Sequence, residues 1–198
     1  MIVQTFGKNV PIVLFKGIID QEKISSMLAE IESFIEKDLL LDPRKTASAQ
    51  SEYSEYKNNV GLFVENQYVD RNKSSILRSH ININKILLDE LDNKHILFEY
   101  FFHTTWYSTL LSVYTNGSSY FEHNDHSVIT TITYLWNQPK SFNGGEIFFR
   151  EYNLTVDVDL GDVIVFPGFI KHGVNEVYMD NPDPRYGRFA ISQFFIIK

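Results

Sequence analysis

The amino-acid sequence predicts a mainly β fold preceded by helices. Two apolar patterns of helical period occupy the first part of the chain. After about residue 96 the pattern changes to eight short runs rich in β-branched and aromatic residues, with turn residues between them. Eight strands at such spacing are typical of a sandwich or barrel, and the jelly roll is the common eight-stranded form. The runs are residues 106–114, 119–123, 128–136, 145–149, 154–158, 162–167, 171–177 and 188–197.

The N-terminal part has its own start signals. Residues 1–18 are predicted to form one or two short strands. Asp20 is a candidate N-cap for a helix that ends near Lys37. A second helix is expected from about Lys73 to Leu91. The apolar residues that define the first helix are Ile24, Met27, Leu28, Ile31 and Phe34.

The length of 198 residues fits one domain. We expect residues 1–95 to form helical support and a lid, and 96–198 to form the β core. The polar stretch 41–58 predicts an exposed loop or lid. A lid or peptide groove over 41–75 would use the tyrosines Tyr53, Tyr56 and Tyr68.

Composition excludes several classes of function. The chain has no cysteine, which removes disulfides, zinc–thiolate sites, iron–sulfur ligation and thiol nucleophiles. A net charge of −7 without a Lys/Arg cluster argues against a nucleic-acid partner. We expect neither a secretory signal nor a membrane span, and therefore a cytoplasmic protein. Nothing in the sequence predicts an oligomeric state.

One histidine–aspartate pair suggests a metal site. His123 and Asp125 are two positions apart in a predicted strand, so both point to one side while Asn124 points away. Iron(II) that activates oxygen is held by two imidazoles and one carboxylate on one face. His172, which follows the turns at 161–162 and 167–168, is the candidate third ligand. An isolated His-x-Asp is more often a solvated pair.

The other four histidines have simpler interpretations. His126 has the wrong parity for the pair, so it is expected beside the site or on the surface. His80, His95 and His103 lie in or near the helical half and are expected to be structural.

The segment 107–197 resembles the Fe(II)- and 2-oxoglutarate-dependent dioxygenases, in particular the prolyl 4-hydroxylase-like branch. The resemblance implies a cupin-like double-stranded β-helix with Fe(II) on His123, Asp125 and His172. It also implies 2-oxoglutarate and O₂ as cosubstrates, with ascorbate as a candidate accessory reductant. The motifs, in family order, are Tyr114 to Asp125, Thr133-Tyr134-Leu135, Asn143-Gly144-Gly145-Glu146, Gly161-Asp162 with Phe166-Pro167 before His172, and Arg188 to Ser192.

Arg188 is the candidate anion-binding residue. It alternates with Ala190, Ser192 and Phe194, so the four share one strand face. If that face is buried, the guanidinium requires an anion. By resemblance this anion is the distal carboxylate of 2-oxoglutarate, and Ser192 would hold a bound water.

Two tyrosines complete the predicted cosubstrate pocket. The resemblance implies that the Tyr134 hydroxyl donates to the same carboxylate and that Tyr114 lines the pocket. The alternatives are a surface salt bridge of Arg188 with Asp180 or Asp183, and a core role for Tyr134.

The resemblance implies hydroxylation of an unactivated C–H bond with release of succinate and CO₂. The expected substrate is a prolyl or other side chain of a protein or peptide. The alternatives are a free amino acid or small metabolite, and a non-catalytic metal-binding module. A nucleobase demethylase of the same fold is disfavoured. That branch carries a second arginine downstream on the same strand, and none follows Arg188 here.

Overall fold

The computed structural model describes residues 1–46 and 57–198. The β-strands are β1 Ile2–Thr5, β2 Val13–Lys16, β3 Val60–Phe63, β4 Trp106–Tyr114, β5 Tyr120–His123, β6 Ile129–Leu135, β7 Asn143–Gly144, β8 Ile147–Phe149, β9 Leu154–Val156, β10 Val163–Pro167, β11 His172–Val174, β12 Val177–Tyr178 and β13 Arg188–Ile196. The α-helices are α1 Gln21–Glu36, α2 Pro43–Thr46 and α3 Ser75–Leu91. Segments of 3₁₀ helix span Val64–Gln67, Arg71–Lys73, Ile96–His103, Arg150–Tyr152 and Pro184–Tyr186.

The strands form antiparallel sheets, and the predicted mainly β class is confirmed. A major sheet has the order β1-β2-β10-β6-β13-β4-β3, and a minor sheet has the order β5-β11-β8-β9. A third, two-stranded sheet joins β12 to β7. Each of the eight predicted runs contains a strand, and the run 171–177 divides into β11 and β12.

The major sheet lies between the helices and the minor sheet. Along β10, Val163 and Val165 belong to the apolar core shared with the helices. Ile164 and Phe166 belong to a second core shared with the minor sheet. Alternate residues of one strand point to opposite faces, so the strand β10 serves two cores.

Both predicted helices are present, and their N-caps explain where they begin. The Asp20 carboxylate accepts from the Lys23 backbone N–H at 2.8 Å and starts α1. Helix α3 begins two residues later than expected because the Ser74 hydroxyl caps it, accepting from the Leu77 N–H at 3.0 Å. Glu30 of α1 in turn accepts from the Ser74 hydroxyl at 2.7 Å, which joins the two helices. No helix within 1–46 or 57–198 is both long and apolar enough to cross a membrane.

Residues 41–58 were predicted to form an exposed loop, and the structure differs from this prediction at both described ends of the segment. Residues 43–46 form the short helix α2, and Lys57 is only 4% exposed. The next residues form β3, which was not predicted and pairs with β4. Tyr53 and Tyr56 lie outside the described residues.

Tyr68, the third tyrosine of the expected groove, belongs to the helical layer. Its ring packs against that of Phe34 with centroids 6.3 Å apart. Burial raises its pKa, and Glu30 acts in the same direction. Tyr68 is therefore part of the support for the helices and does not line the cavity described below.

Candidate active site

A cavity of about 360 Å³ is lined by residues of both larger sheets. Alternate residues of β13 line one wall, as the shared strand face predicts. The β4 residues paired with them continue this wall, since Arg188 pairs with Tyr114 and Ile196 with Trp106. The lining residues of β13 are Arg188, Ala190, Ser192, Phe194 and Ile196.

Strand pairing brings His123, Asp125 and His172 together in this cavity. His172 of β11 is directly opposite His123 of β5. Strand β5 ends at His123, two residues before Asp125. The backbone N–H of Asp125 donates to the Gly168 carbonyl at 2.8 Å and fixes the position of this residue. Each histidine Nε2 lies 3.6 Å from an oxygen of the Asp125 carboxylate. The three candidate ligand atoms all lie within 4.8 Å of one another.

Backbone carbonyls orient both imidazoles. Nδ1 of His123 lies 2.8 Å from the Phe121 oxygen, and Nδ1 of His172 lies 3.0 Å from the Ile170 oxygen. With Nδ1–H as the donor in each bond, the lone pair is at Nε2, which faces the other two ligands. Burial lowers the pKa of both histidines to about 4. Both rings are therefore neutral at neutral pH.

The Asp125 carboxylate is oriented by a second chain of contacts. The Thr130 hydroxyl donates to Oδ2 of Asp125 at 2.6 Å, and the Ser127 hydroxyl lies 2.7 Å from that of Thr130. Burial raises the pKa of Asp125, against the opposing effects of His123 and Thr130. Two neutral imidazoles and one carboxylate are the donor set of non-haem Fe(II) oxygenases, so the residues present fit this metal.

Arg188 is buried without a counter-ion among the described residues. It is 2% exposed, and its Nη1 has no hydrogen-bond partner in the described part of the chain. The guanidinium carbon lies 4.8 Å from the ring centroids of both Tyr114 and Tyr134. The alternative, a surface salt bridge with Asp180 or Asp183, is not found among the described residues: Asp183 pairs with Arg185 instead. A cation buried in this way fits an anionic ligand.

Gly145 leaves room for the arginine side chain. Its φ is +76°, and a Cβ at this position would lie 2.7 Å from Cδ of Arg188. This glycine of the Asn143-Gly144-Gly145-Glu146 motif therefore allows the arginine to reach its buried position.

Both tyrosine hydroxyls beside Arg188 are protonated at neutral pH. Burial raises the pKa of Tyr114 to about 12 and raises that of Tyr134, while Arg188 opposes both shifts. The Tyr134 hydroxyl is buried and has no partner among residues 1–46 and 57–198. Tyr114 lines the cavity, whereas Tyr134 is fully buried and is not among the lining residues. Together the arginine and tyrosines offer donors that a carboxylate could accept.

Three of the four remaining histidines have contacts that define their places. His126 is exposed and lines the cavity beside Asp125. His80 is fully buried, with Nδ1 2.8 Å from the Ile76 carbonyl oxygen and Nε2 3.0 Å from the Thr133 hydroxyl. His95 accepts from the Leu97 N–H and caps a 3₁₀ segment.

Lys57 lines the same cavity and was not among the predicted site residues. Its Nζ donates to the Thr46 hydroxyl at 2.8 Å and to the Thr46 carbonyl at 3.2 Å. It also lies 5.5 Å from the ring centroid of Tyr120, which stacks on His123 with centroids 3.7 Å apart. A lone lysine at the end of a polar stretch carries no pattern from which this burial could be inferred.

Comparison with solved structures identifies the fold. A prolyl-4-hydroxylase from Pseudomonas putida superposes with a TM-score of 0.60 at 15% identity, covering 96% of this chain and 94% of that one. The chain has the fold of the prolyl hydroxylases. The resemblance inferred from the motifs is thus confirmed at the level of the fold.

Two further prolyl hydroxylase structures have the same fold. The enzyme from Trichoplax adhaerens, in complex with a hypoxia inducible factor oxygen degradation domain peptide fragment, gives a TM-score of 0.67 at 13% identity, covering 95% of this chain and 84% of that one. The viral collagen prolyl hydroxylase of Paramecium Bursaria Chlorella virus-1, as its 2OG complex, gives 0.58 at 14% identity, covering 94% and 96%. No family model and no curated protein matches the sequence.

Proposed function

We propose that this chain is an Fe(II)- and 2-oxoglutarate-dependent dioxygenase that hydroxylates an unactivated C–H bond. The observation that carries this proposal is the shared cavity of His123, Asp125, His172 and the buried Arg188. The first three suit a divalent metal, and the fourth requires an anion. We further infer that the two larger sheets form the double-stranded β-helix implied by the motifs.

The residues of this chain would bind and orient the reactants. Nε2 of His123, Nε2 of His172 and the Asp125 carboxylate would hold Fe(II) and leave its remaining positions open. Arg188 and the neighbouring Tyr134 hydroxyl would bind the distal carboxylate of 2-oxoglutarate. When bound, Fe(II), 2-oxoglutarate and O₂ supply the chemistry: one oxygen atom enters the substrate C–H bond, and the other enters succinate as CO₂ is released.

The walls of the cavity would control water. Ser192 lies on the Arg188 face, where its hydroxyl would hold a bound water, and Tyr114 covers the guanidinium. Apolar side chains line the β13 and β4 wall and would exclude bulk water from the reacting atoms. They include Leu110 of β4 and Ala190, Phe194 and Ile196 of β13.

We propose a prolyl or other side chain of a protein or peptide as the substrate. Support comes from the Trichoplax adhaerens neighbour, which is in complex with a peptide fragment. The large apolar residues Phe63 and Trp106 also line the cavity, and Trp106 is 43% exposed. A free amino acid or small metabolite is the second candidate, which is favoured by the buried Lys57 in the same cavity.

The test combines a cosubstrate assay with a product assay. Succinate release from 2-oxoglutarate should require both Fe(II) and the intact chain, with the Asp125→Ala variant as the control. Pro-containing peptides and free amino acids are then compared for the mass gain of one oxygen atom. Binding of metal and 2-oxoglutarate without any succinate would instead identify a non-catalytic binding module.

A further inference from the structure

Lys57 is a second buried cation of the cavity, after Arg188. It is 4% exposed, and no carboxylate of the described residues lies within ion-pair distance of its Nζ. An ammonium group carries three N–H donors. Two are used by the hydroxyl and carbonyl of Thr46. The third has no acceptor within 1–46 or 57–198.

Lys57 and Arg188 lie among different residues of the cavity. Its neighbours are Thr46 and Tyr120, and Tyr120 stacks on the candidate ligand His123. Arg188 instead lies between Tyr114 and Tyr134. The two cations therefore contact different residues, with Lys57 on the side of the proposed metal.

The charges of the described lining residues do not balance without a further anion. Among its described lining residues, Lys57 and Arg188 are cations and Asp125 is the one carboxylate. Burial lowers the pKa of Lys57 to about 8, so the ammonium is still mainly charged at neutral pH. A divalent metal and dianionic 2-oxoglutarate add charges that cancel. One positive charge remains, and a buried unpaired cation is costly.

We propose that Lys57 binds a carboxylate of the substrate, so that the molecule hydroxylated here carries a free carboxylate beside the oxidised carbon. The inference rests on the proposed function for the reaction itself, and it adds the chemical class of the substrate. A free amino acid or another small acid would supply this group. So would an acidic side chain or a C-terminus in a peptide.

The direct test measures binding without turnover. The full chain is loaded with Mn(II) and saturating 2-oxoglutarate, and propionate is titrated with propionamide as the neutral control. Mn(II) enhances the relaxation of probe protons close to it, and the Zn(II)-loaded protein gives the diamagnetic baseline. We expect enhancement for propionate alone, and at least a roughly 10-fold weaker affinity in Lys57→Gln, because a charge-assisted hydrogen bond is lost.

Lys57→Arg is the matched control, since it keeps the charge and shows whether position 57 tolerates substitution. It should retain propionate binding, and the melting temperatures of both variants report their folding. Equal enhancement by propionate and propionamide, no enhancement by propionate, or full binding in Lys57→Gln would overturn the proposal. A matching loss of 2-oxoglutarate affinity in Lys57→Gln would also overturn it, because Lys57 would then belong to the cosubstrate site.

The outcome is independent of whether the enzyme assignment holds. Propionate binding without Fe(II)-dependent succinate release would contradict the proposed function only, and the reverse result would contradict the role of Lys57 only. The source of the carboxylate is decided by product mass. Free amino acids are compared with their amides, and peptides containing Glu are compared with the same peptides containing Gln.

Discussion

The two faces of the major sheet are formed by the same strands but serve different purposes. On the helical face, Phe189, Ile191 and Phe195 of β13 join a continuous apolar core. On the cavity face of the same strand, Arg188 and Ser192 alternate with apolar residues. The neighbouring strand β6 repeats this contrast with two threonines, because Thr133 contacts His80 of helix α3 and Thr130 contacts Asp125.

The difference lies in how buried polar groups find partners. Both nitrogens of His80 are paired on the helical face. On the cavity face, the Arg188 guanidinium and the Tyr134 hydroxyl each have a buried polar atom without a protein partner in the described ranges. Neutral amide oxygens of Asn84 and Gln193 also have no partner among the described residues. A buried cation costs far more than a neutral amide, and it therefore indicates a missing ligand more strongly.

Removing the proposed carboxylate ligand should have the largest effect on the cavity face. Asp125→Ala should abolish Fe(II)-dependent hydroxylation and weaken metal binding, since one of three ligands is lost. The metal-free variant should be at least as stable as the native chain, because it lacks a buried carboxylate that lies between two neutral imidazoles. Product mass and thermal unfolding measure the two effects. Full activity in this variant would show that the ligands are misassigned.

Lowering the pH should reduce the free energy of unfolding through His80, which is buried on the helical face. Burial lowers its pKa from 6.5 to about 4, so the unfolded chain binds a proton in this window that the folded chain does not. The stability from this group is fully present above pH 6.5 and is lost as the pH falls towards 4. The difference corresponds to about 3 kcal/mol.

Urea unfolding at several pH values measures this effect. His80→Gln should be less stable than the native chain at pH 7, and its unfolding free energy should fall less steeply towards pH 4. His123 and His172 contribute equally to both proteins and cancel in the comparison. Parallel pH profiles would contradict the assigned role of His80.

Arg188→Ala should act on 2-oxoglutarate. The loss of a charge-assisted contact worth about 1.5–3 kcal/mol should raise the KM for 2-oxoglutarate roughly 10- to 100-fold. Arg188→Lys keeps the charge without the bidentate fork and should give an intermediate KM. Steady-state succinate formation provides the measurement, and an unchanged KM in the alanine variant would place Arg188 outside the cosubstrate site.

Thr130 and Thr133 of β6 point to opposite faces of the major sheet and allow the two faces to be compared directly. Thr130→Val removes the hydrogen bond to Asp125 and should weaken metal affinity about 10- to 100-fold. Thr133→Val should leave metal affinity unchanged and lower stability by about 1–3 kcal/mol, because His80 Nε2 loses its partner. Mn(II) titration and urea unfolding separate the effects. Equal metal affinity in both variants would remove the positioning role of Thr130.

Local patterns predicted most of the secondary structure. Helices α1 and α3 follow from apolar periodicity and capping residues, and the strands of the C-terminal half follow from short β-rich runs between turns. The strands that were missed or only partly predicted are short: β7 and β12 have two residues each, and β3 contains Gly61. Their pairing depends on partners distant in sequence, which local propensity does not encode.

The candidate site was predictable in part. The side-chain alternation of β13 correctly placed Arg188 and Ser192 on one lined face. The approach of His172 to His123 results from pairing between strands far apart in sequence. The turns before His172 made it a candidate ligand, and the resemblance supported that choice. Lys57 and Thr130 were missed because their roles arise from tertiary packing. Neither has a local signal in the sequence.

The central claim is tested most directly by a crystal structure of the chain with Mn(II) and 2-oxoglutarate. The anomalous signal of Mn(II) locates the metal. The account predicts one ion bonded to both imidazole Nε2 atoms and the aspartate, with the distal carboxylate of 2-oxoglutarate on the Arg188 guanidinium. An ion bound elsewhere, or a cosubstrate that leaves this guanidinium unpaired, would contradict it.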